Sequence, residues 1–342
     1  MLQVAVRFEA DQNRKFRMKA TKFVAAAGIA ALALTASACS PAQNPSAASA
    51  EGGTSTITVV VSPLVDAAPL YLGIDKGFFS KRGLEVKVSV APTPGARIPS
   101  LVSGASQFGL IGTADMLQGV SAGVPLRAVT TTTITTSDPV QDTGKVYVAP
   151  GSSITKPSDL NGKTVGVGSL GGGGELSLRA ALEKAGADDK QVKFLEVPLD
   201  SMLNAVKTGQ VDAISSISPF TGAAEAGGAK YLMSPGAIAT AGAAQTTVIT
   251  TESYLQNNSK AAKAFIEGLN EGTTYAAENP QAVRDTLPTY SKTPKDVAAK
   301  MQLPVFKADL NRDRIRIWSD LMFKYGFVKN EISLDALVVP GG

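Results

Sequence analysis

Apolar and polar positions alternate along this chain in two periods, and the periods take turns. Ile57–Ser62 (ITVVVS) is an unbroken apolar run, which predicts a strand covered on both faces of a parallel sheet. Ala68–Phe79 reads as a helix ending near Gly77. Glu85–Val90 alternates, with Val86, Val88 and Val90 on one face, the pattern of a strand. Pro92–Gly95 reads as a loop, a helix follows to Val102, and Ser103-Gly104 leads into a strand over Phe108–Ile111. The same order returns about 105 residues later. Thr164–Gly168 predicts a strand, and a glycine-rich turn opens a helix with Leu178, Ala181, Leu182 and Ala185 at helical spacing. Val192–Val197 is a strand, Pro198–Ser201 a loop, a helix runs to Lys207, and Val211–Ile217 is a strand. Residue identity between the two halves is thin, but the order of elements predicts two α/β lobes of similar topology.

The last hundred residues read as mostly helical. Ala262, Phe265, Ile266 and Leu269 form one apolar stripe, capped by Ser259. Trp318, Leu321, Met322 and Tyr325 form another, stopped at Gly326; that spacing places Trp318 in a core rather than on a ligand platform. Two β-rich runs, 145–149 and 245–251, flank the second half and read as crossovers between lobes. With them as a hinge, residues 57–144 plus 252–342 form lobe 1 and residues 150–244 form lobe 2.

Composition narrows the function. The net charge is +4 over 342 residues, but residues 1–38 hold six bases and two acids, which leaves 27 of each in the remainder. A neutral body lacks the basic excess of a nucleic-acid binder. There is no histidine, which removes His-based triads, His metal sites and imidazole acid–base chemistry. The one cysteine excludes an intramolecular disulfide and a cysteine-cluster metal site. Phe23–Ala38 is an uncharged stretch preceded by Lys19 and Lys22, shorter than a membrane span and ending in small residues, so residues 1–38 read as a signal peptide. Met18 stands where such a leader would naturally begin. Cys39 follows Ala36-Ser37-Ala38 directly and resembles the acylated cysteine of bacterial lipoproteins, although Ala36 replaces the usual leucine. Residues 39–56, rich in Ser, Ala, Gly and Pro, read as a flexible tether. The expected location is therefore extracytoplasmic, anchored by lipid to the outer face of a bacterial cell membrane or held in a periplasm.

Several short motifs together resemble one family. They are Ala68-Pro-Leu-Tyr-Leu-Gly73, Lys76-Gly77-Phe78-Phe79, Gly83-Leu84-Glu85-Val86, Leu101-Val-Ser-Gly104 and Gly123-Val124-Pro125-Leu126. Leu160-Asn-Gly-Lys-Thr-Val-Gly-Val167, Thr208-Gly-Gln-Val-Asp-Ala213 and Val248–Tyr254 followed later by Glu278-Asn279-Pro280 continue the series. In this order they resemble the solute-binding proteins of nitrate/sulfonate/taurine-type ABC importers, a group that includes binders of thiamine pyrimidine precursors. The resemblance spans residues 57 to about 330. It implies a type 2 periplasmic-binding fold, with two doubly wound lobes joined by two crossover strands and a ligand closed between them. It also implies a permease partner with a separate ATPase, since this chain has no GxxxxGK, and a monomer without enzymatic activity or cofactor. Gln107 stands where the family's first lobe usually has an aspartate; its second-lobe counterpart, Asp212, is retained.

Ligands of open parallel sheets sit beyond the carboxyl ends of the strands, near helix N-termini. The residues expected there are Ser62, Asp66, Gly95, Gly112, Thr113 and Thr131 in the first lobe. In the second they are Gly172, Gly173, Gly174, Glu175, Ser216 and Ser218. Hydroxyls, glycines and free backbone amides suit a sulfonate, nitrate or carboxylate. Asp66 and Glu175 either complement helix N-termini or hold an amine, a ring nitrogen or a hydroxyl, which would suit a zwitterion or an aminopyrimidine. Arg97, the base nearest these loops, reads as a solvated helix residue, with a ligand clamp as the alternative. Gly166-Val-Gly168-Ser-Leu-Gly171 matches a dinucleotide fingerprint, but an exported chain is a poor place for a nicotinamide cofactor. Ser152-Ser153 near Lys156 is the nearest approach to a Ser–Lys hydrolase pair and sits in a linker-like stretch. A surface lipoprotein sensor without a transport role, or a hydrolase, is the other function class open to this chain.

Overall fold

The computed structural model describes residues 54–91 and 93–339. The expected leader, Cys39 and the expected tether up to residue 53 lie outside the described residues. The last tether residues, Ser55 and Thr56, instead open the first strand.

The first sheet begins with β1 (Ser55–Val61), α1 (Ala68–Asp75) and β2 (Leu84–Val90). It continues with α2 (Pro94–Val102), β3 (Phe108–Gly112), α3 (Thr113–Ser121) and β4 (Leu126–Ile134). The chain then builds a second sheet from β5 (Gly144–Val148), β6 (Thr164–Val167), α4 (Gly173–Lys184), β7 (Lys193–Glu196) and α5 (Met202–Lys207). β8 (Ala213–Ile217), α6 (Phe220–Ala226), β9 (Lys230–Met233) and α7 (Pro235–Ala239) complete it. The return leg is β10 (Ala244–Thr251), α8 (Glu252–Asn257), α9 (Ser259–Glu278), α10 (Pro280–Tyr290), α11 (Lys295–Lys300), β11 (Val305–Phe306) and α12 (Arg312–Lys324).

Strand order is β11-β4-β10-β3-β1-β2 in one sheet and β7-β6-β8-β5-β9 in the other. In each, three parallel strands (β2-β1-β3, β7-β6-β8) are followed by an antiparallel one, β10 or β5. The repeat expected from the order of elements is thus a repeat of strand order. Ile57, Val59 and Val61 are fully buried between helices, as their unbroken apolar run requires.

The expected crossovers need correction. Residues 145–149 and 245–251 are not connectors: they supply the antiparallel strands β5 and β10, deep in the second and first sheet. β-rich, apolar sequence is the same for a central strand and a crossover, so pattern alone cannot separate them. The lobes are joined instead by residues 135–143 and 240–243. These two passes are bonded to each other: Thr135 N donates to Ala243 O (2.9 Å), Gly242 N to Thr135 O (3.0 Å), and Thr135 Oγ1 to Thr240 O.

α12 packs against α3 of one lobe and α4 of the other. Leu176 of α4 shares a core cluster with Leu117, Ile315 and Trp318. Glu183 on α4 accepts from Lys324 Nζ (2.7 Å) and Tyr325 OH (2.6 Å), and Gln118 Nε2 on α3 donates to Gly171 O (2.8 Å). No helix among the described residues is long and apolar enough to cross a membrane.

Candidate functional site

A cavity of about 320 Å³ lies between the two sheets, within the usual size range of small-ligand pockets. Its walls are the ends of parallel strands: Ser62 just after β1, Gly112 at the end of β3, Gly168 just after β6 and Ser218 just after β8. Right-handed crossovers put the following helix N-termini at that end of each sheet, so α3 and α4 both begin at the cavity.

On the first lobe the wall is charged. Asp66 rides on a short turn over Val65–Ala67, and its Oδ2 accepts from Thr246 Oγ1 of β10 at 2.8 Å. Burial pushes its carboxyl up; the Thr246 bond and the nearby Arg97 charge oppose this. Asp115 sits in the first turn of α3, and its Oδ2 comes within 2.7 Å of where a Cβ on Gly112 would stand. Only glycine at 112 leaves that carboxylate room. Burial raises Asp115 to about 6 against the pull of Arg97, and it accepts no hydrogen bond from any described residue. Arg97 on α2 is 5% exposed and donates to Ala91 O at 3.0 Å. Burial lowers its pKa while Asp115 and Asp66 raise it. A solvated Arg97 was the expectation; instead its helix face turns onto the sheet and the guanidinium stands between two carboxylates' fields.

The second lobe presents an uncharged wall. Gly173 and Gly174 bring the first backbone of α4 to the cavity, beside Ser169, Ser177, Ser215 and Ser218. A Cβ on Gly174 would meet nothing within 4 Å, so its backbone is open to the cavity. Asp142, between the lobes, also lines the cavity, but both its oxygens are committed: Oδ1 accepts from Gly144 N (3.0 Å) and Oδ2 from Ala237 N (2.8 Å).

Seven of the twelve residues expected from sequence line this cavity: Ser62, Asp66, Gly112, Thr113, Gly173, Gly174 and Ser218. Five do not. Gly95 is exposed on α2. Thr131 lies further down β4 and donates to Lys307 O at 2.7 Å. Gly172 caps α4 facing Ser169, whose Oγ would lie 2.2 Å from an added Cβ. Ser216 falls on the opposite face of β8 from the cavity-lining Ser215, as strand alternation dictates. Glu175 is 3% exposed and turned into the protein. It accepts from Gly171 N (2.8 Å) and from Arg179 Nε (2.8 Å) and Nη2 (2.6 Å). The glycine-rich loop is thus held by its own helix.

The sequence pattern missed Asp115, Asp142 and the burial of Arg97, while of the threonine run 130–133 at the end of β4 it is Thr133 that reaches the cavity. The Gly112-Thr-Ala-Asp115 string was the available signal for Asp115: a carboxylate one turn after a strand-end glycine. Trp318 is both core and wall; it is 4% exposed, lines the cavity, and Nε1 donates to Ala244 O at 2.6 Å. Tyr71 stacks on Tyr290 at 3.8 Å, and neither Tyr71 nor Phe220 lines the cavity.

Residues 65–283 match the family model described as NMT1/THI5 like. Relatives from Brucella abortus and Brucella suis, whose names say no more than binding protein, are 23% identical over 229 residues. That match spans 65% of this chain and 66% of theirs, just under two thirds. The periplasmic aliphatic sulphonate binding protein SsuA of Escherichia coli superposes with a TM-score of 0.70 at 17% identity, covering 83% of this chain and 92% of that one. The alkanesulfonate-binding protein SsuA of Xanthomonas axonopodis pv. citri, bound to MOPS, gives 0.70 at 18% identity over 84% and 99%. The periplasmic nitrate-binding protein NrtA of Synechocystis PCC 6803 gives 0.67 at 17% identity over 83% and 84%. At such identities the likeness establishes the fold, which is the type 2 periplasmic-binding fold.

Proposed function

The chain belongs to the NMT1/THI5-like family, and from that premise we propose that it is the extracytoplasmic solute-binding protein of an ABC importer. One observation carries this reading: a cavity of about 320 Å³ whose walls come from the strand ends of both lobes. A solute touching both walls has more contacts when the lobes are together, so it shifts the equilibrium towards closure. The bonded passes 135–143 and 240–243 are where the rotation is absorbed, through a few backbone dihedrals around Thr135. The closed form is then the species that a permease with its own ATPase recognises. Cys39 carries the lipid that keeps the protein at the outer face of the membrane, and the protein works as a monomer without cofactor.

The sequence raised two ligand classes: small anions or zwitterions, and amine-bearing heterocycles. The mixed wall supports those members that carry a basic nitrogen over nitrate or a simple sulfonate. The test is thermal unfolding of the purified chain against aminosulfonates, alkyl sulfonates, nitrate, carboxylates and aminopyrimidines. A true ligand at 100 times its Kd adds about 2.7 kcal/mol and raises the midpoint by several degrees. No rise with any compound removes the solute-binding reading.

A further inference from the structure

The charges around the cavity do not balance. Two carboxylates, Asp66 and Asp115, line the first-lobe wall with one cation, Arg97. The third acid, Asp142, is satisfied by two backbone amides. Glu175 is neutralised outside the cavity by Arg179. With both wall acids ionised, this corner keeps one net negative charge.

Its hydrogen-bonding capacity is unspent as well. Asp66 Oδ1 is shielded from solvent and has no partner among the described residues. Thr133 is fully buried, forms part of the same wall, and its hydroxyl also lacks a partner among them. Buried polar groups left this way call for a donor. The second-lobe wall, with the amides of Gly173 and Gly174 at the start of α4, has the opposite preference.

We propose that Asp66 and Asp115 form a cation subsite, so that the solute carries an ammonium, amidinium or protonated ring nitrogen held against the first lobe. Its acceptor end, an acid group or a carbonyl, lies against the start of α4. Thr133 receives or supplies the remaining hydrogen bond at the cationic end. Simple monoanions are rejected, because the corner offers them two carboxylates against one guanidinium. The inference rests on the solute-binding reading and names the substrate class of that same cavity.

The experiment is isothermal titration of the whole purified chain with matched compounds under about 250 Da, a size chosen to suit a cavity at the small end of ligand pockets. The probes are taurine with isethionate, benzamidine with benzamide and benzoate, and amino acids and aminopyrimidines with their hydroxy analogues. Binding is expected only among compounds with the basic nitrogen. Asp115→Asn and Asp66→Asn are each expected to weaken it tenfold or more. Asp115→Asn guards against misfolding, since that carboxylate accepts no hydrogen bond among the described residues and asparagine keeps its shape. Binding by the hydroxy or carboxylate analogues, or unchanged affinity in both variants, overturns the subsite and leaves the solute-binding reading intact. No binding by any member overturns both.

Discussion

Asp115→Asn should make the ligand-free protein more stable. The carboxylate is displaced from 3.8 to about 6 because burial penalises its charge more than Arg97 rewards it. Holding it ionised at pH 7.5 costs the folded state about 3 kcal/mol, at about 1.4 kcal/mol for each pH of displacement. An acid with a raised folded pKa binds its proton more tightly when folded. Its contribution is therefore most favourable below pH 4, is lost as pH rises from 4 to 6, and is flat above. Asparagine keeps the shape and removes the charge, so at pH 7.5 the variant regains up to that ~3 kcal/mol, less the smaller desolvation cost of an amide. At about 2 °C per kcal/mol for a chain of this length, the midpoint should rise by several degrees. The assay is thermal unfolding of both proteins, without ligand, at half-pH intervals from 4 to 8. The gap between them should open between pH 4 and 6 and stay constant above. Asp66 and Asp142 are also raised by burial, but they are present in both proteins and largely cancel in the difference. A gap that is independent of pH, or a variant that melts lower at pH 7.5, would refute the argument that the cavity wall stores an unfavourable charge. Stability gained here at the expense of binding is what a wall kept ready for a cation implies.

Other outcomes follow from the same packing. Arg179→Met strands Glu175, which is 3% exposed, and removes the partner of Asp189; breaking a buried ion pair on one side costs about 3–5 kcal/mol, readable by urea unfolding with ligand binding unchanged in any folded fraction. Trp318 is the chain's sole tryptophan and lines the cavity, so tryptophan emission should shift when a ligand binds; Trp318→Phe abolishes that emission, and thermal stabilisation then remains the readout of binding. Gly272→Ala places a Cβ 2.4 Å from Pro69 O, where α9 crosses α1 backbone to backbone; overpacking of that kind costs about 1–3 kcal/mol and should lower the unfolding midpoint without altering binding. A Gly272→Ala protein as stable as the parent would mean that the two helices separate more easily than their contact suggests.

The cavity's residues were legible in proportion to how local their placement is. Ser62, Gly112, Gly173 and Ser218 follow directly from where strands end and helices start, because a doubly wound sheet puts those ends on one side. Thr131 and Ser216 were misplaced by small shifts along a strand: alternation decides which face a residue takes, and sequence does not mark where the cavity stops. Glu175 takes the first of the two roles its position allows, sitting in the opening turn of α4 and accepting from Gly171 N rather than facing a ligand, whereas Arg97 is buried where its sequence suggests solvent. Both are charged residues on helices, and whether such a residue meets solvent, a partner or a ligand depends on what the opposite element contributes.

The chain's own pattern determined the class of fold, the duplicated order of elements and the glycines on which tight approaches depend, since these rest on periodicities of two and 3.6 residues and on backbone freedom. Tertiary structure alone decided the rest. It placed residues 145–149 and 245–251 inside the sheets rather than between them, because hydrogen-bond partners 65 to 140 residues away in sequence select the strand's position. It also brought Asp66, Arg97 and Asp115 from three separate elements to one wall. The charge of that wall is a sum over groups distant in sequence, and only folding performs the sum.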